Sequence, residues 1–335
     1  MALSLAQRVD LMVRLGKYIE EIPDDLAKAM EEAHLQNNWF TSHFIAYALE
    51  KIRTQYLSED KLQQWIDCYP GLVATSASAK KVGMVMAGNI PLAGFHDFLC
   101  GFISGQRLLM KLSSKDAVLL KHFLSVLAAW EPLTAEILQT ADLLKGCDAY
   151  IATGSDNSAR YFEYYFAAYP HIIRRNRTSI ALLDGSETTE ELEKLADDIC
   201  LYFGWGCRNV TQVCVPAGYD FQPLLSALDR YAYFMEHHRY KNNYDYNLTL
   251  HLLNQQPYLS SAAMLLSENE VPYSPVSVLH YRYYTDLAAL ADACLQDQRI
   301  QCIVGRNFVP FGTAQSPSLS DYADGVDTLQ FLAAL

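Results

Sequence analysis

Residues 81–91 read KVGMVMAGNIP and carry the pattern that decides the fold. The apolar run 81–87 predicts a buried strand, and Gly88 and Asn89 lead from it into a helix-like segment that begins at Pro91. The same order of apolar run and turn returns later, at residues 107–112 (RLLMKL), 148–153 (DAYIAT) and 178–183 (TSIALL). Apolar strands that alternate with helices predict an α/β fold around a parallel sheet.

A second α/β layer is predicted in the later part of the chain. Thr188 and Glu191 have the spacing of a capping box and predict a helix start. The helix leads into residues 203–209 (FGWGCRN), and strands are predicted at 210–215 and 277–280. In the first layer, Ser113 or Ser114 is predicted to cap the helix after residues 107–112.

Length and composition limit the classes of function. The chain has 335 residues, 51% of them hydrophobic, which favours two domains with sizeable cores. A net charge of -12 without a Lys/Arg-rich run argues against nucleic acid and anionic membrane surfaces as partners.

The apolar segments and cysteines indicate where the protein works. Residues 1–22 have the periodicity of an amphipathic helix rather than a signal peptide, and the least polar stretch, 90–105, is too short to cross a bilayer. We therefore expect a cytoplasmic protein without a transmembrane segment. Eight cysteines without metal-ligand spacing predict reduced thiols and no metal site.

Cys207 and Asn89 are the candidate catalytic residues. Glycines at positions 204 and 206 let the backbone near Cys207 approach a ligand, and Arg208 could help to hold a thiolate. Asn89 follows a predicted strand, where its amide could donate to an oxyanion. The alternatives are a buried thiol in a turn and an ordinary turn asparagine.

Other candidates would bind cofactor or substrate. Gly154 and Ser155 lie between a predicted strand and helix, where backbone N–H groups suit a pyrophosphate, although no G-x-G-x-x-G is present. Lys111 could reach a ribose or phosphate from a strand end, or could be a solvated surface lysine. A polar cluster could line a pocket or form a surface loop; its candidate residues are His238, Asn243 and Tyr244.

Taken in chain order, these stretches resemble the aldehyde dehydrogenase superfamily, and within it the acyl-CoA reductase family of the bacterial bioluminescence type. Residues 88–91 (GNIP), 111–113 (KLS) and 153–155 (TGS) are similar to the motifs W-N-F-P, K-P-S and F-T-G-S. Residues 203–207 (FGWGC), 273–276 (YSPV) and 310–312 (PFG) are similar to G-Q-x-C, F-G-P-V and P-F-G-G.

The resemblance implies an aldehyde dehydrogenase-like fold of two Rossmann-like domains with a catalytic cleft between them. It implies a helical segment at 1–80 that packs on the cofactor domain, an NAD(P)-binding domain at 81–190, a catalytic domain at 191–315 and a tail at 316–335. Cys207 would be the nucleophile and Asn89 the oxyanion donor. Lys111, Ser113, Gly154 and Ser155 would contact the cofactor.

Two departures from the superfamily pattern refine this expectation. No carboxylate lies between Pro170 and Leu183, where hydrolytic members carry a Glu base. An acyl-enzyme would then exchange with a thiol rather than with water. The Glu that holds the nicotinamide ribose aligns on Val271, so Glu270, one place off, is the candidate for that role.

The implied reaction is NADPH- or NADH-dependent reduction of a long-chain acyl-CoA thioester to the aldehyde through a Cys207 acyl-enzyme. Alternatives are an acyl-phosphate or short-chain acyl-CoA reductase, a thiol acyltransferase, and a non-catalytic binding protein on the same fold. An acyl-activating synthetase or acyltransferase is the partner that the family suggests, and a homo-oligomer is compatible with the sequence.

Overall fold

The computed structural model describes residues 3–72 and 79–335. The chain forms two compact units. Met1–Asn176 and Pro317–Leu335 make up the first unit, and Arg177–Ser316 make up the second.

A five-stranded parallel sheet lies at the centre of the first unit. Its strands are β1 (Lys81–Val85), β2 (Arg107–Lys111), β3 (Leu138–Thr140), β4 (Ala149–Thr153) and β5 (His171–Arg174). They are arranged in the order β3-β2-β1-β4-β5. This is the order of a doubly wound nucleotide-binding sheet, in which ligands bind beyond the carboxyl ends of the strands.

In the described part of the chain, four helices precede the first strand of this sheet and four more lie between its strands in sequence. They are α1 (Leu5–Glu21), α2 (Asp24–Gln36), α3 (Ser42–Lys51), α4 (Glu59–Asp67), α5 (Phe95–Ser104), α6 (Val118–Trp130), α7 (Leu133–Ile137) and α8 (Asp156–Phe166). A π-helical turn, Ile52–Tyr56, extends α3. The predicted amphipathic helix at the start of the chain is confirmed as α1, whose Met12, Leu15 and Ile19 enter the same core as Met84 of β1.

The second unit contains a six-stranded sheet in the order β11-β6-β7-β10-β9-β8. Its strands are β6 (Thr178–Leu182), β7 (Val210–Pro216), β8 (Leu259–Ser260), β9 (Leu265–Glu268), β10 (Val278–Tyr284) and β11 (Ile300–Val304). All neighbours are parallel except β8 and β9. Its helices are α9 (Thr189–Cys200), α10 (Gln222–Leu228), α11 (His238–Leu253) and α12 (Leu287–Gln296), with a 3-10 helix at Asp229–Glu236.

The C-terminal segment belongs to the core of the first unit. Its helix α13 (Thr328–Ala333) buries Leu329 and Leu332 completely. Gln106 donates a hydrogen bond to the carbonyl of Leu332 at 2.9 Å. The segment predicted as a tail at 316–335 is therefore a packed part of this unit from Pro317 onward.

Two local predictions differ from the structure. The expected boundary at residues 190 and 191 lies after β6, whereas the compact units divide at Asn176 and Arg177. The reason is that β6 hydrogen-bonds β7 and β11, which places it in the second sheet. The predicted cap at Ser113 or Ser114 is wrong, because α6 begins only at Val118 and the Ser113 hydroxyl accepts from the Lys115 N–H at 3.3 Å.

The capping box at Thr188 and Glu191 is confirmed at the start of α9. None of the helices within residues 3–72 and 79–335 is both long and apolar enough to cross a membrane.

A buried ion pair joins three elements of the first unit. Arg174, the last residue of β5, pairs with Asp97 of α5 and donates a second hydrogen bond to the Thr328 hydroxyl of α13 at 2.7 Å. The Arg174 side chain is 4% exposed and that of Asp97 12%. An unpaired charge here would be costly, because little water reaches it.

Replacing Arg174 by Met should therefore lower the free energy of unfolding by about 3–5 kcal/mol, since Asp97 would be left buried without its cation. Urea unfolding followed by circular dichroism measures this change. Arg175→Met is the matched control: Arg175 pairs with Glu163, and both side chains are nearly half exposed. It should cost less than about 1 kcal/mol. Equal losses in the two variants would contradict the assigned role of the buried pair.

Candidate active site

Cys207 lies in a tight turn between α9 and β7. Three residues just before it have left-handed backbone: Tyr202 and Phe203 (φ 55° each) and Gly204 (φ 78°). Glycine adopts this conformation readily, but two consecutive aromatic residues are strained in it. Such strain persists only where the surroundings enforce it, and it is typical of functional sites.

An aromatic cluster holds the strained backbone in place. The Phe203 ring centroid lies 4.5 Å from that of Phe234, 4.8 Å from His237 and 5.3 Å from Tyr240. The Tyr240 hydroxyl donates to the carbonyl of Ala263 at 2.8 Å, which anchors the cluster in the unit. The start of α11 therefore packs directly on the segment that leads to Cys207.

Two buried polar side chains fix the turn on both sides of the thiol. Asn209 accepts from the Gly206 N–H at 2.8 Å, and its amide donates to the last carbonyls of α9 and to that of Leu201. Ser179 of β6 donates to the Cys207 carbonyl at 3.0 Å. Both side chains belong to residues with no exposed surface, so water does not compete for these bonds.

Exposure and burial separate the cysteines. Cys207 and Cys302 are half-buried and Cys68 is exposed, while Cys100, Cys147, Cys200, Cys214 and Cys294 are buried. Burial raises the pKa of Cys200 well above its usual value and that of Cys214 to about 11. A thiol with a raised pKa is a poor nucleophile.

Within residues 3–72 and 79–335, no three His, Cys, Asp or Glu side chains come together as a metal site.

Asn89 lies exposed in the loop that joins β1 to α5. The carboxyl of Asp116 shapes this loop by accepting from the N–H groups of Leu92 and Ala93 at 3.1 and 3.2 Å. Leu92 takes a left-handed conformation (φ 56°), so the turn after Asn89 is tight. Burial raises the pKa of Asp116 to about 7.

The predicted cofactor residues of the first unit follow neighbouring parallel strands. Lys111 is exposed at the end of β2, and Ser113 is two residues further on. Gly88, after β1, packs so closely on Ser113 that a Cβ would lie 2.3 Å from the serine hydroxyl. Gly154 and Ser155 follow β4 and begin α8, with Ser155 as its cap. The structure thus brings these residues to one edge of the sheet.

The turn between β4 and α8 lets the backbone come close to an anionic group. A Cβ at Gly154 would lie 2.8 Å from the Cβ of Ser158, so only glycine lets the β4 turn follow the helix start this closely. Ser155 accepts from the Ser158 N–H at 3.4 Å, and the positive end of α8 favours an anion. Asp156 in the first turn of α8 opposes it by its negative charge.

The remaining candidates lie in the second unit. Glu270 is 79% exposed after β9, and its carboxylate pairs with Arg282 at 3.5 Å. Val271, at the position of the superfamily's ribose-binding Glu, is 49% exposed. His238, Asn243 and Tyr244 lie on α11 rather than in a loop.

Of these three, the Asn243 amide donates to the Arg239 carbonyl within α11 at 2.7 Å, and burial raises the pKa of Tyr244. Cys207 belongs to the second unit and Asn89 to the first. Their joint action in one site remains a prediction.

Comparisons with known proteins identify the family of the chain. A family model described as acyl-CoA reductase (LuxC) matches residues 17–224. The long-chain acyl-protein thioester reductase of Aliivibrio fischeri is 26% identical over 246 residues, which are 65% of this chain and 50% of that protein. The long-chain acyl-protein thioester reductase 2 of Photobacterium leiognathi is 24% identical over 218 residues, 58% of this chain and 45% of that protein. The chain thus spans about half the length of these relatives.

Solved aldehyde dehydrogenase structures share the fold at low sequence identity. Aldehyde dehydrogenase 21 from Physcomitrella patens matches 91% of this chain and 74% of its own, with a TM-score of 0.67 and 9% identity. The methylmalonate-semialdehyde dehydrogenase of Oceanimonas doudoroffii matches 90% of this chain and 73% of its own, with a TM-score of 0.64 and 11% identity. These matches confirm the predicted α/β fold, and the matched model places the chain in the acyl-CoA reductase (LuxC) family.

Proposed function

We propose that this chain reduces a long-chain acyl thioester to the aldehyde through a covalent acyl group on Cys207, with NADPH or NADH as the reductant. The observation that carries the proposal is the half-buried Cys207 thiol on a strained turn whose backbone is fixed by Asn209 and Ser179. A nucleophile held in this way loses little freedom when it attacks a bound carbonyl.

The reaction proceeds in two stages. The Cys207 thiolate attacks the thioester carbonyl, the oxyanion accepts hydrogen bonds from the Asn89 amide and the Cys207 N–H, and the thiol of CoA leaves after taking a proton. A reduced nicotinamide cofactor, when bound, supplies a hydride to the acyl carbon. Cys207 then departs as thiolate from the resulting thiohemiacetal, and the aldehyde is released.

The missing base favours reduction over hydrolysis. Residues 171–183 contain no Asp or Glu, so β5, β6 and the residues joining them offer no carboxylate to activate water. The acyl-enzyme would therefore survive long enough for the hydride to reach it.

We infer that Lys111, Ser113, Gly154 and Ser155 hold the cofactor at the carboxyl edge of the first sheet, and that Glu270 replaces the superfamily Glu at the nicotinamide ribose. The close approach of backbone that the turn between β4 and α8 allows supports the first assignment. The Glu270–Arg282 ion pair must open before Glu270 can bind a ribose. His238, Asn243 and Tyr244 are proposed to contact the acyl substrate from α11.

The family and the names of the relatives suggest two sources of the acyl group, a CoA thioester and an acylated protein. An acyl-activating synthetase or acyltransferase would be the partner that supplies it. We place this activity in the cytoplasm and propose that the chain assembles with copies of itself.

A thiol acyltransferase that uses Cys207 without a nicotinamide is the second candidate. Val271 at the position of the ribose-binding Glu, and the negative Asp156 at the start of α8, favour it. An acyl-phosphate reductase or a short-chain acyl-CoA reductase would use the same thiol. A binding protein of this fold would transfer no acyl group at all.

Cys207→Ala should abolish aldehyde formation because the acyl-enzyme cannot form. The measurement is anaerobic oxidation of NADPH or NADH by purified protein with a long-chain acyl-CoA, together with trapping of the aldehyde. Cys302→Ala, which removes the other half-buried thiol of the second unit, is the matched control and should retain activity within about threefold.

Acyl transfer to Cys207 without cofactor oxidation would instead select the acyltransferase. If folded protein carries out neither reaction, the non-catalytic binding protein is the candidate that remains.

Asp156→Asn should strengthen binding of NADPH and NADH, because it removes a negative charge from the helix end proposed to hold the pyrophosphate. The dissociation constants, measured by cofactor fluorescence at low salt, should fall by about two- to fivefold. The gain should shrink at high ionic strength, where the charge is screened.

Glu163→Gln removes the same charge near the other end of α8 and serves as the control. An equal effect from both variants would contradict the assigned phosphate position.

A further inference from the structure

Asp198 of α9 is a fully buried acid whose carboxyl is held by two backbone N–H groups. Its carboxyl oxygens accept from the N–H groups of Gly312 at 2.6 Å and Ala314 at 3.0 Å. The ionised carboxylate is the stronger acceptor for two such donors, because both of its oxygens carry negative charge. Protonation weakens the hydrogen bond at the oxygen that carries the proton.

The charged groups around Asp198 do not offset its charge. Asp197, next on α9, is also acidic and accepts from the Tyr231 hydroxyl at 2.6 Å. Lys194 packs its stem beside Gly312, while its ammonium pairs with Glu190 at 2.7 Å. The Arg208 guanidinium donates to the Ala314 carbonyl at 3.5 Å.

The ionised carboxylate costs stability. Burial, and then the charge of Asp197, raises the pKa of Asp198 to about 7. The folded protein therefore holds this proton more tightly than the unfolded chain does, and stability falls as pH rises from about 4 towards 7. A buried acid that destabilises the fold when ionised, yet makes its strongest hydrogen bonds in that form, is typical of a functional constraint.

Asp198 is linked to the Cys207 turn by two routes. Its backbone carbonyl accepts from the Asn209 amide at 3.1 Å, and Asn209 in turn accepts from the Gly206 N–H. Its side chain holds Ala314, whose carbonyl accepts from Arg208, the neighbour of Cys207. The Gly206 backbone before the thiol and the Arg208 side chain after it are thus both connected to this one residue.

We propose that Asp198 is a positioning residue for Cys207, which holds residues 312–314 against α9 and thereby keeps the turn at 206–209 in the form that accepts an acyl group. The inference rests on the proposed role of Cys207 as nucleophile. Protonation of Asp198 weakens one of these two hydrogen bonds, loosens residues 312–314 and slows acylation. Acylation thus falls below neutral pH as Asp198 takes up its proton.

The test compares wild type with Asp198→Asn, whose carboxamide copies the shape of the protonated acid at every pH. The measured quantity is the second-order rate of Cys207 acylation by a long-chain acyl-CoA. At about pH 8 the variant should be slower by about tenfold, the effect of losing one hydrogen bond to a charged group. At about pH 6 the two rates should converge, because wild-type Asp198 is then protonated. A ratio that stays constant with pH would overturn the proposal.

Asp197→Asn is the matched control on the same helix. It should keep the wild-type rate at high pH within about twofold, since its carboxamide can still accept from Tyr231. It should also move the midpoint of the acid limb to lower pH, because the charge of Asp197 contributes to the raised pKa of Asp198. A loss equal to that of Asp198→Asn would reject the assigned role.

Two further measurements separate failure of this inference from failure of the proposed function. Alkylation of Cys207 by iodoacetamide, followed by peptide mass spectrometry, reports on the turn even if no acyl-CoA reacts. The ratio of wild-type to Asp198→Asn alkylation rates should change with pH, whereas a constant ratio contradicts the proposal. If Asp198→Asn does not fold, the proposal is tested by amide hydrogen exchange of Gly312 and Ala314 in the wild-type protein. Their protection should fall below about pH 7, and unchanged protection would overturn the inference.

Discussion

The buried carboxamide of Asn209 is the interaction on which the candidate active site depends. It satisfies one N–H and three carbonyl groups of backbone that leaves α9, passes through left-handed residues and enters β7. Without such a partner, the last carbonyls of a helix that ends inside the protein would lose water and gain nothing in return. This arrangement, together with the hydrogen bond from Ser179 to the Cys207 carbonyl, fixes the backbone that carries the thiol.

Much of the fold was predictable because its central strands are apolar runs that end in turns. β1, β2, β4, β6 and β7 were predicted in this way, and β10 in part. β5 and β9 were not, because each has only two apolar residues among its four, and Gln301 interrupts the apolar run of β11; β3 and β8 are shorter still. Periodicity also missed the membership of β6, since strand neighbours depend on pairing between distant segments.

The motifs of the candidate site were predictable from the sequence, but the residues that hold the Cys207 turn in place were not. Cys207, Asn89 and Gly154 stand in recognisable stretches, whereas Asn209, Ser179 and Asp198 are ordinary polar residues until the fold buries them beside backbone groups. The sequence offered one signal for such residues, which is a polar residue directly before an apolar strand. This pattern is common in turns and does not single out a residue that supports a site. The helix His238–Leu253 was not predicted from the polar cluster, because its apolar residues do not recur on one face with a clear helical period.

The division of the chain has a consequence for how the protein matures. The second unit is one continuous stretch, while the core of the first unit includes Leu319, Tyr322, Leu329 and Leu332, which are synthesised after it. During vectorial synthesis the second unit can complete its sheet while the first still lacks part of its interior. The nascent first unit then exposes apolar surface for as long as the ribosome takes to make the intervening residues. During this interval the nascent first unit offers a chaperone its largest apolar surface.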